Sequence, residues 1–244
     1  MIIAHLSDLH IDSSNEVIYG INPLQNLQRA VSALKEIKDI SIGIITGDIS
    51  NDGMVDSYIK ADEVLSQLPF PVIIINGNHD ETGALFSTNY KKMRYAGFVT
   101  IDDIDFISVN TVLKAEDGTN RSTGGITQSE LSRLKKLVNT GDNKKILFMH
   151  HPVILTDSWL DRRILSNRVD FINFVSTSDQ IIAVLSGHNH FATNMRIRNT
   201  LYSTAPSVST SYDKNLKPFE EAFQPGFNLI SIDKGVCSVE TIYL

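Results

Sequence analysis

At 244 residues and 42% hydrophobic content, the chain is long enough to bury a sizeable core without covalent staples. Its single cysteine, Cys237, excludes an internal disulfide and a cysteine-built zinc site, and no apolar run nears the ~18 residues that a membrane span needs. A formal net charge of -6 without a basic cluster argues against tight, sequence-independent binding to a nucleic-acid backbone; the expectation is a soluble cytoplasmic protein with no membrane partner.

Ile2 to Leu6 reads as a buried strand that delivers Asp8 and His10 into a loop. Met1 to Ala4 lead straight into that motif, so the chain is expected to carry no signal peptide. Asn22-Pro23 supplies an N-cap and a proline at the first helical position. Leu24, Leu27, Val31, Leu34 and Ile37 then recur at helical spacing and predict one apolar stripe laid on a sheet. Ile42 to Ile45 is the next strand and ends at Gly47-Asp48. A helix over 54 to 67 and a strand at Val72 to Ile75 follow, with Asn76 to Asp80 just beyond.

Phe98 to Ile101 and Ile104 to Val109 flank Asp102-Asp103 as an antiparallel hairpin. Lys114 to Gly125 reads as a polar surface loop before a helix through Leu131, Leu134 and Leu137. Strands at Ile146 to Met149 and Ile181 to Leu185 end at His150-His151-Pro152 and Gly187-His188-Asn189-His190. Asp157 to Arg163 and Ser207 to Lys217 are loops that could border a pocket. A second hairpin, Asn228 to Ile232 and Val236 to Ile242, closes the chain around Asp233-Lys234-Gly235. No linker-like tract divides the sequence, which predicts one α/β domain over residues 1–244.

The chemistry gathers at five predicted strand ends, where loops converge in open α/β sheets. Asp8, His10, Asp48, Asn78, His150, His188 and His190 supply seven oxygen and nitrogen donors. That exceeds the need of one tetrahedral ion and suits two ions sharing a carboxylate. Asp8 and His10, two apart, are expected on one side of an extended segment, and His188 and His190 likewise in an extended loop. Asp48 is expected to bridge through both oxygens, while Asp80 orients its neighbour. Taken singly, each block is more simply a turn or a satisfied core histidine; five blocks at five strand ends make that reading untenable.

In this order the blocks resemble the calcineurin-like metallophosphoesterase superfamily, whose pattern runs Asp-x-His, Gly-Asp, Gly-Asn-His-Asp/Glu, His and Gly-His-x-His across residues 5 to 190. The resemblance implies a four-layer α/β/β/α sandwich of two mixed sheets flanked by helices. It assigns one ion to Asp8, His10, Asp48 and His190, and the other to Asp48, Asn78, His150 and His188. His150 is preferred to His151 because the family histidine stands two residues before a proline, as His150 precedes Pro152. His5 and His151 are read as supports. By the same resemblance a water shared by the ions attacks phosphorus, and His79 contacts the phosphoryl group and serves the leaving oxygen. Asp48 and His79 are thus the catalytic candidates. The cofactors implied are two divalent or mixed-valence ions, manganese or iron in the first place, zinc or cobalt in the second. Their positive field draws a phosphate despite the acidic chain.

Ser203-Thr204-Ala205-Pro206-Ser207, Pro225-Gly226-Phe227 and Gly125-Ile126-Thr127 are further similar to the bacterial cyclic-nucleotide phosphodiesterase and glycerophosphodiesterase branch. Two departures bear on substrate rather than metal: Asn110-Thr111 stands where an aspartate is common, and Val153 replaces a second proline. With no cap insert identified, an open site of broad specificity is expected. The resemblance implies hydrolysis of 3',5'-cyclic nucleotides or other small phosphodiesters. The alternatives are a nuclease or nucleotide pyrophosphatase of the same superfamily, and a non-catalytic interaction module, which would have eroded ligands.

Overall fold

The computed structural model describes residues 1–14, 17, 20–113, 122–212, 221–222 and 224–244. The expected loop segments at 114–121 and 213–217 fall outside these.

One sheet runs, in spatial order, β14 (Val236–Tyr243), β13 (Gly226–Asp233), β1 (Ile2–Leu6), β2 (Ile40–Ile45), β3 (Val72–Ile74) and β4 (Met93–Tyr95). Strands β1 to β4 are mutually parallel, while β13 is antiparallel to both β1 and β14. The second sheet runs β5 (Phe98–Ile101), β6 (Ile104–Val109), β7 (Lys144–Met149), β8 (Ile181–Ser186), β10 (Thr200–Thr204) and β9 (Thr193–Ile197). Its inner four strands are parallel, and antiparallel β5 and β9 form its edges. A short pair, β11 (Ser211–Tyr212) and β12 (Glu221–Ala222), stands apart.

Side-chain alternation explains the layering. Ile3 on β1 and Ile42 and Ile44 on β2 enter a core shared with Phe106, Ile146, Phe148 and Leu185 of the second sheet. Their neighbours Ala4, Leu6 and Ile45 face the other way, onto α1 (Pro23–Glu36) and α2 (Val55–Leu65). Strands buried on both faces therefore carry near-continuous apolar runs. On the far side, α4 (Gln128–Val138) and α5 (Arg168–Val175) place Leu134, Val138, Phe171 and Phe174 on Leu147 and Met149. The result is the expected four-layer α/β/β/α sandwich of two mixed sheets. Fully burying one such side chain contributes about 1.5–3 kcal/mol.

Two helices begin as their sequences dictate. The Asn22 side chain accepts from Gln25 N at 3.1 Å, ahead of Pro23, and Thr127 Oγ1 accepts from Glu130 N at 3.2 Å. The described part of the 114–125 segment differs from the surface loop expected. Ser122, Gly124 and Gly125 are buried, Gly125 N donates to Thr111 O, and Gly124 lies against the His151 ring so closely that a Cβ would overlap it. Residues 122–125 thus pack their backbone on the site.

Candidate metal centre

The C-terminal ends of β1, β2, β3, β7 and β8 carry Asp8 and His10, Asp48, Asn78 and His79, His150, and His188 and His190 respectively. Parallel pairing brings the first three loops together: Asp8 N donates to Gly47 O at 3.1 Å and His10 N to Asp48 O at 3.0 Å. The second sheet's ends join them as His188 N donates to Asp8 Oδ2 at 2.9 Å. All seven expected donors meet at one place.

Their backbones are not extended as the spacing suggested. Asp8, His10, Asp48, His188 and His190 all have left-handed φ, between 46° and 72°. For residues with a Cβ this conformation costs free energy and persists only where surrounding structure enforces it. Side chains two apart converge here because the chain curls, not because a strand alternates. Gly77 shows how tightly the curls nest: a Cβ there would overlap the Asp48 carboxylate.

The donors form two sets. In one, Asp8 Oδ1 lies 3.5 Å from His190 Nε2, and His190 Nε2 lies 3.1 Å from His10 Nε2. In the other, His150 Nε2 is 3.0 Å from Asn78 Oδ1 and 3.1 Å from His188 Nδ1. Asp48 faces both sets through one atom, Oδ2, at 3.8 Å from His10 Nε2 and 3.3 Å from His150 Nε2. Its Oδ1 accepts from His79 N at 2.8 Å. Oδ2 is thus turned to both sets, and Oδ1 is spent on orienting the His79 loop.

The chemistry of these sets fits cations. His150 Nδ1 reaches Thr46 O at 2.8 Å and His190 Nδ1 reaches Thr210 O at 2.9 Å. A carbonyl only accepts, so both rings hold their proton on Nδ1 and, when neutral, turn an Nε2 lone pair inward. Those lone pairs face the oxygens of Asn78, Asp48 and Asp8, and Asp8 Oδ1 is buried without a hydrogen-bond partner. Acceptors converging on acceptors lack a positive centre. Four sets of three side chains place their ligand atoms within 4.8 Å of one another, including Asp8-His10-His190 and Asp8-Asp48-His150.

The electrostatics agree. Burial holds His10 and His188 well below the ordinary imidazole value and lowers His190 to about 3, so these rings are neutral, as ligands must be. Burial likewise raises Asp8 to about 7, against the pull of His150. Asp48 goes the other way: burial opposes its charge, but His150, His79 and His10 outweigh it and hold the carboxyl well below its usual range. His150 answers in kind. Burial opposes its protonation, yet the Asp48 carboxylate raises it to about 9. Without an ion, a proton on His150 is what compensates Asp48.

His79 stands at the rim, exposed, with its ring edge-on to His10 at 4.8 Å between centroids. Asp80 does not act as the sequence suggested, by orienting its neighbour's side chain. Its buried carboxylate accepts from Ile49 N (3.1 Å), Ser50 N (3.0 Å) and Gly77 N (2.8 Å), tying the Asp48 loop to the Asn78 loop. Burial, with the Asp48 charge adding, raises it to about 6. His5 Nε2 bonds Thr46 Oγ1 at 3.1 Å, and His151 Nδ1 bonds Thr111 Oγ1 at 2.9 Å. His151 also approaches His150 and His188 closely enough to share their donor set. Sequence reasoning missed Thr46 and Thr210, which act through backbone carbonyls and so leave no residue-type signal.

Residues 1–192 match the family model of the calcineurin-like phosphoesterases. A probable cyclic nucleotide phosphodiesterase of Coxiella burnetii is 33% identical over 89% of this chain and 86% of its own length. A 3',5'-cyclic-nucleotide phosphodiesterase of a Nostoc species is 26% identical over 94% and 89%, and a glycerophosphodiester phosphodiesterase of Enterobacter lignolyticus 26% over 85% and 77%. Among solved structures, a dimetal phosphatase from Danio rerio superposes with a TM-score of 0.70 over 100% of this chain and 98% of that one at 13% identity, a likeness of fold. The ordered motifs, the sandwich that brings them together and the family match across most of the chain have one reading: this chain belongs to the calcineurin-like phosphoesterase family and is a metal-dependent phosphoesterase.

Proposed function

We propose that the chain is a dinuclear phosphodiesterase acting on 3',5'-cyclic nucleotides or other small phosphodiesters, built as one domain over residues 1–244. The observation that carries the two-ion reading is Asp48 Oδ2, which faces two separate donor sets at once. Asp8, His10 and His190 would complete one ion and Asn78, His150 and His188 the other. Manganese or iron suits this mixture of imidazole and oxygen donors best, with zinc or cobalt next. Bound ions supply an activated water and a positive clamp on the phosphoryl oxygens.

The chain's own residues do the rest. Thr46 and Thr210 fix two imidazole tautomers, while Asp80 fixes the spacing of the Asp48 and Asn78 loops. His79, exposed beside His10 and anchored through its amide to Asp48, is placed to donate a proton to the leaving oxygen. Relatives described as cyclic nucleotide phosphodiesterases support the substrate class. Among the described residues no helix is long and apolar enough to cross a membrane.

Metal-depleted protein reconstituted with manganese should hydrolyse a bis-aryl phosphate and cyclic AMP, and should cleave monoesters and oligonucleotides at least about tenfold less efficiently, a difference of about 1.4 kcal/mol in transition-state binding. Faster turnover of oligonucleotides or of dinucleotide pyrophosphates than of cyclic AMP would move the assignment to a nuclease or a pyrophosphatase.

A further inference from the structure

The segment that follows β10 is polar yet wholly buried: Ser207, Ser209, Thr210 and Ser211 are each at most 5% exposed. Four hydroxyl-bearing residues within five consecutive buried positions need a reason, because a buried polar group without partners costs about 1–3 kcal/mol. Their partners are specific. Ser207 Oγ donates to Asp8 O at 2.8 Å and accepts from Ser209 N (3.0 Å) and Thr210 N (3.1 Å). Val208 N and Ser209 N donate to Ser7 O and Asp8 O, and Ser207 N donates to His190 O at 3.3 Å. Asn26 of α1 fixes the far side through Nδ2 to Ser209 O at 2.8 Å. The turn so formed aims Thr210 O at His190 Nδ1.

Apart from bonds within the turn and its anchors to Asn26 and Gly226, the bonds from Ser207 to Thr210 reach the loop of Asp8 or that of His190, and none reaches Asn78, His150 or His188. We infer that Ser207 is a positioning residue for one ion only. It holds the backbone of Asp8 and the carbonyl that sets the His190 tautomer in a single turn, and so tunes the Asp8-His10-His190 set independently of its neighbour. This rests on the two-ion reading. The sequence motif around Ser207 marks the strap without disclosing the task.

Calorimetric titration of metal-free protein with manganese tests it. Wild type should show two binding events, and Ser207→Ala should weaken one of them by about tenfold, the low end of what lost outer-shell partners cost, while sparing the other. Asn78→Ala, which thins the opposite set, should weaken the event that Ser207→Ala spares. Ser209→Ala removes only a hydroxyl contact to Ser207 and should stay within about twofold of wild type at both events. Should Ser207→Ala fail to fold, Asn26→Ala loosens the same turn from outside and should weaken the same event to a smaller degree. Equal weakening of both events, or of neither, overturns the inference and leaves the two-ion reading standing. A single binding event in wild type overturns the two-ion reading itself, visible before any variant is made.

Discussion

Asp48→Ala should abolish both metal retention and hydrolysis. Its Oδ2 is the atom that faces both donor sets, and its Oδ1 anchors the His79 amide, so one truncation unties three parts of the site. The stabilisation withdrawn is several kcal/mol of charge neutralisation at the reacting centre, and at about 1.4 kcal/mol per tenfold the loss in kcat/KM exceeds about 10³. The protein should still fold, because Asp80 clamps the Asp48 loop through the amides of Ile49 and Ser50, not through the Asp48 side chain. Turnover of a bis-aryl phosphate, with metal content measured on the same sample, checks both parts. Activity within tenfold of wild type would remove Asp48 from its central place.

His79→Ala should lose activity while keeping both ions. The imidazole is exposed at the rim, and what His79 gives Asp48 is a backbone amide that alanine retains. A proton donor of this kind is worth about 10²–10⁴-fold, and the loss should fall mainly on kcat. It should also be largest for substrates with poor leaving groups, since an alkoxide needs the proton and a nitrophenolate does not. Equal losses for alkyl and nitrophenyl esters would make His79 a binding residue instead. The two variants separate the roles: one empties the site, the other disarms it.

Much of this was legible in the chain. The Asn22-Pro23 start and the stripe from Leu24 to Leu34 gave α1 to within a few residues, because capping and periodicity are local. The seven donors and their convergence were equally readable, since residue types that bind metals stood at five strand ends. The short elements were not. The α3 helix (Thr82–Ser87) and β4 have too few residues to carry a period, and α5 buries Phe171, Phe174 and Val175 without a clear stripe. At the site, the curls at Asp8, His10, His188 and His190 escaped notice because spacing alone does not reveal a left-handed φ. The sequence offers Asp80 as a partner for His79, yet the pairing of the Asp48 loop with the Asn78 loop gives it three amides instead. Where the fold, not the local sequence, chooses the partner, residue type identifies a capability and leaves its use open.

Anomalous scattering from crystals grown with manganese bears on the two-ion site without an assay. Two metal peaks are expected, one among Asp8, His10 and His190, the other among Asn78, His150 and His188, with Asp48 Oδ2 in contact with both. A single peak, or two peaks of which only one touches Asp48, would rule out two ions sharing that carboxylate.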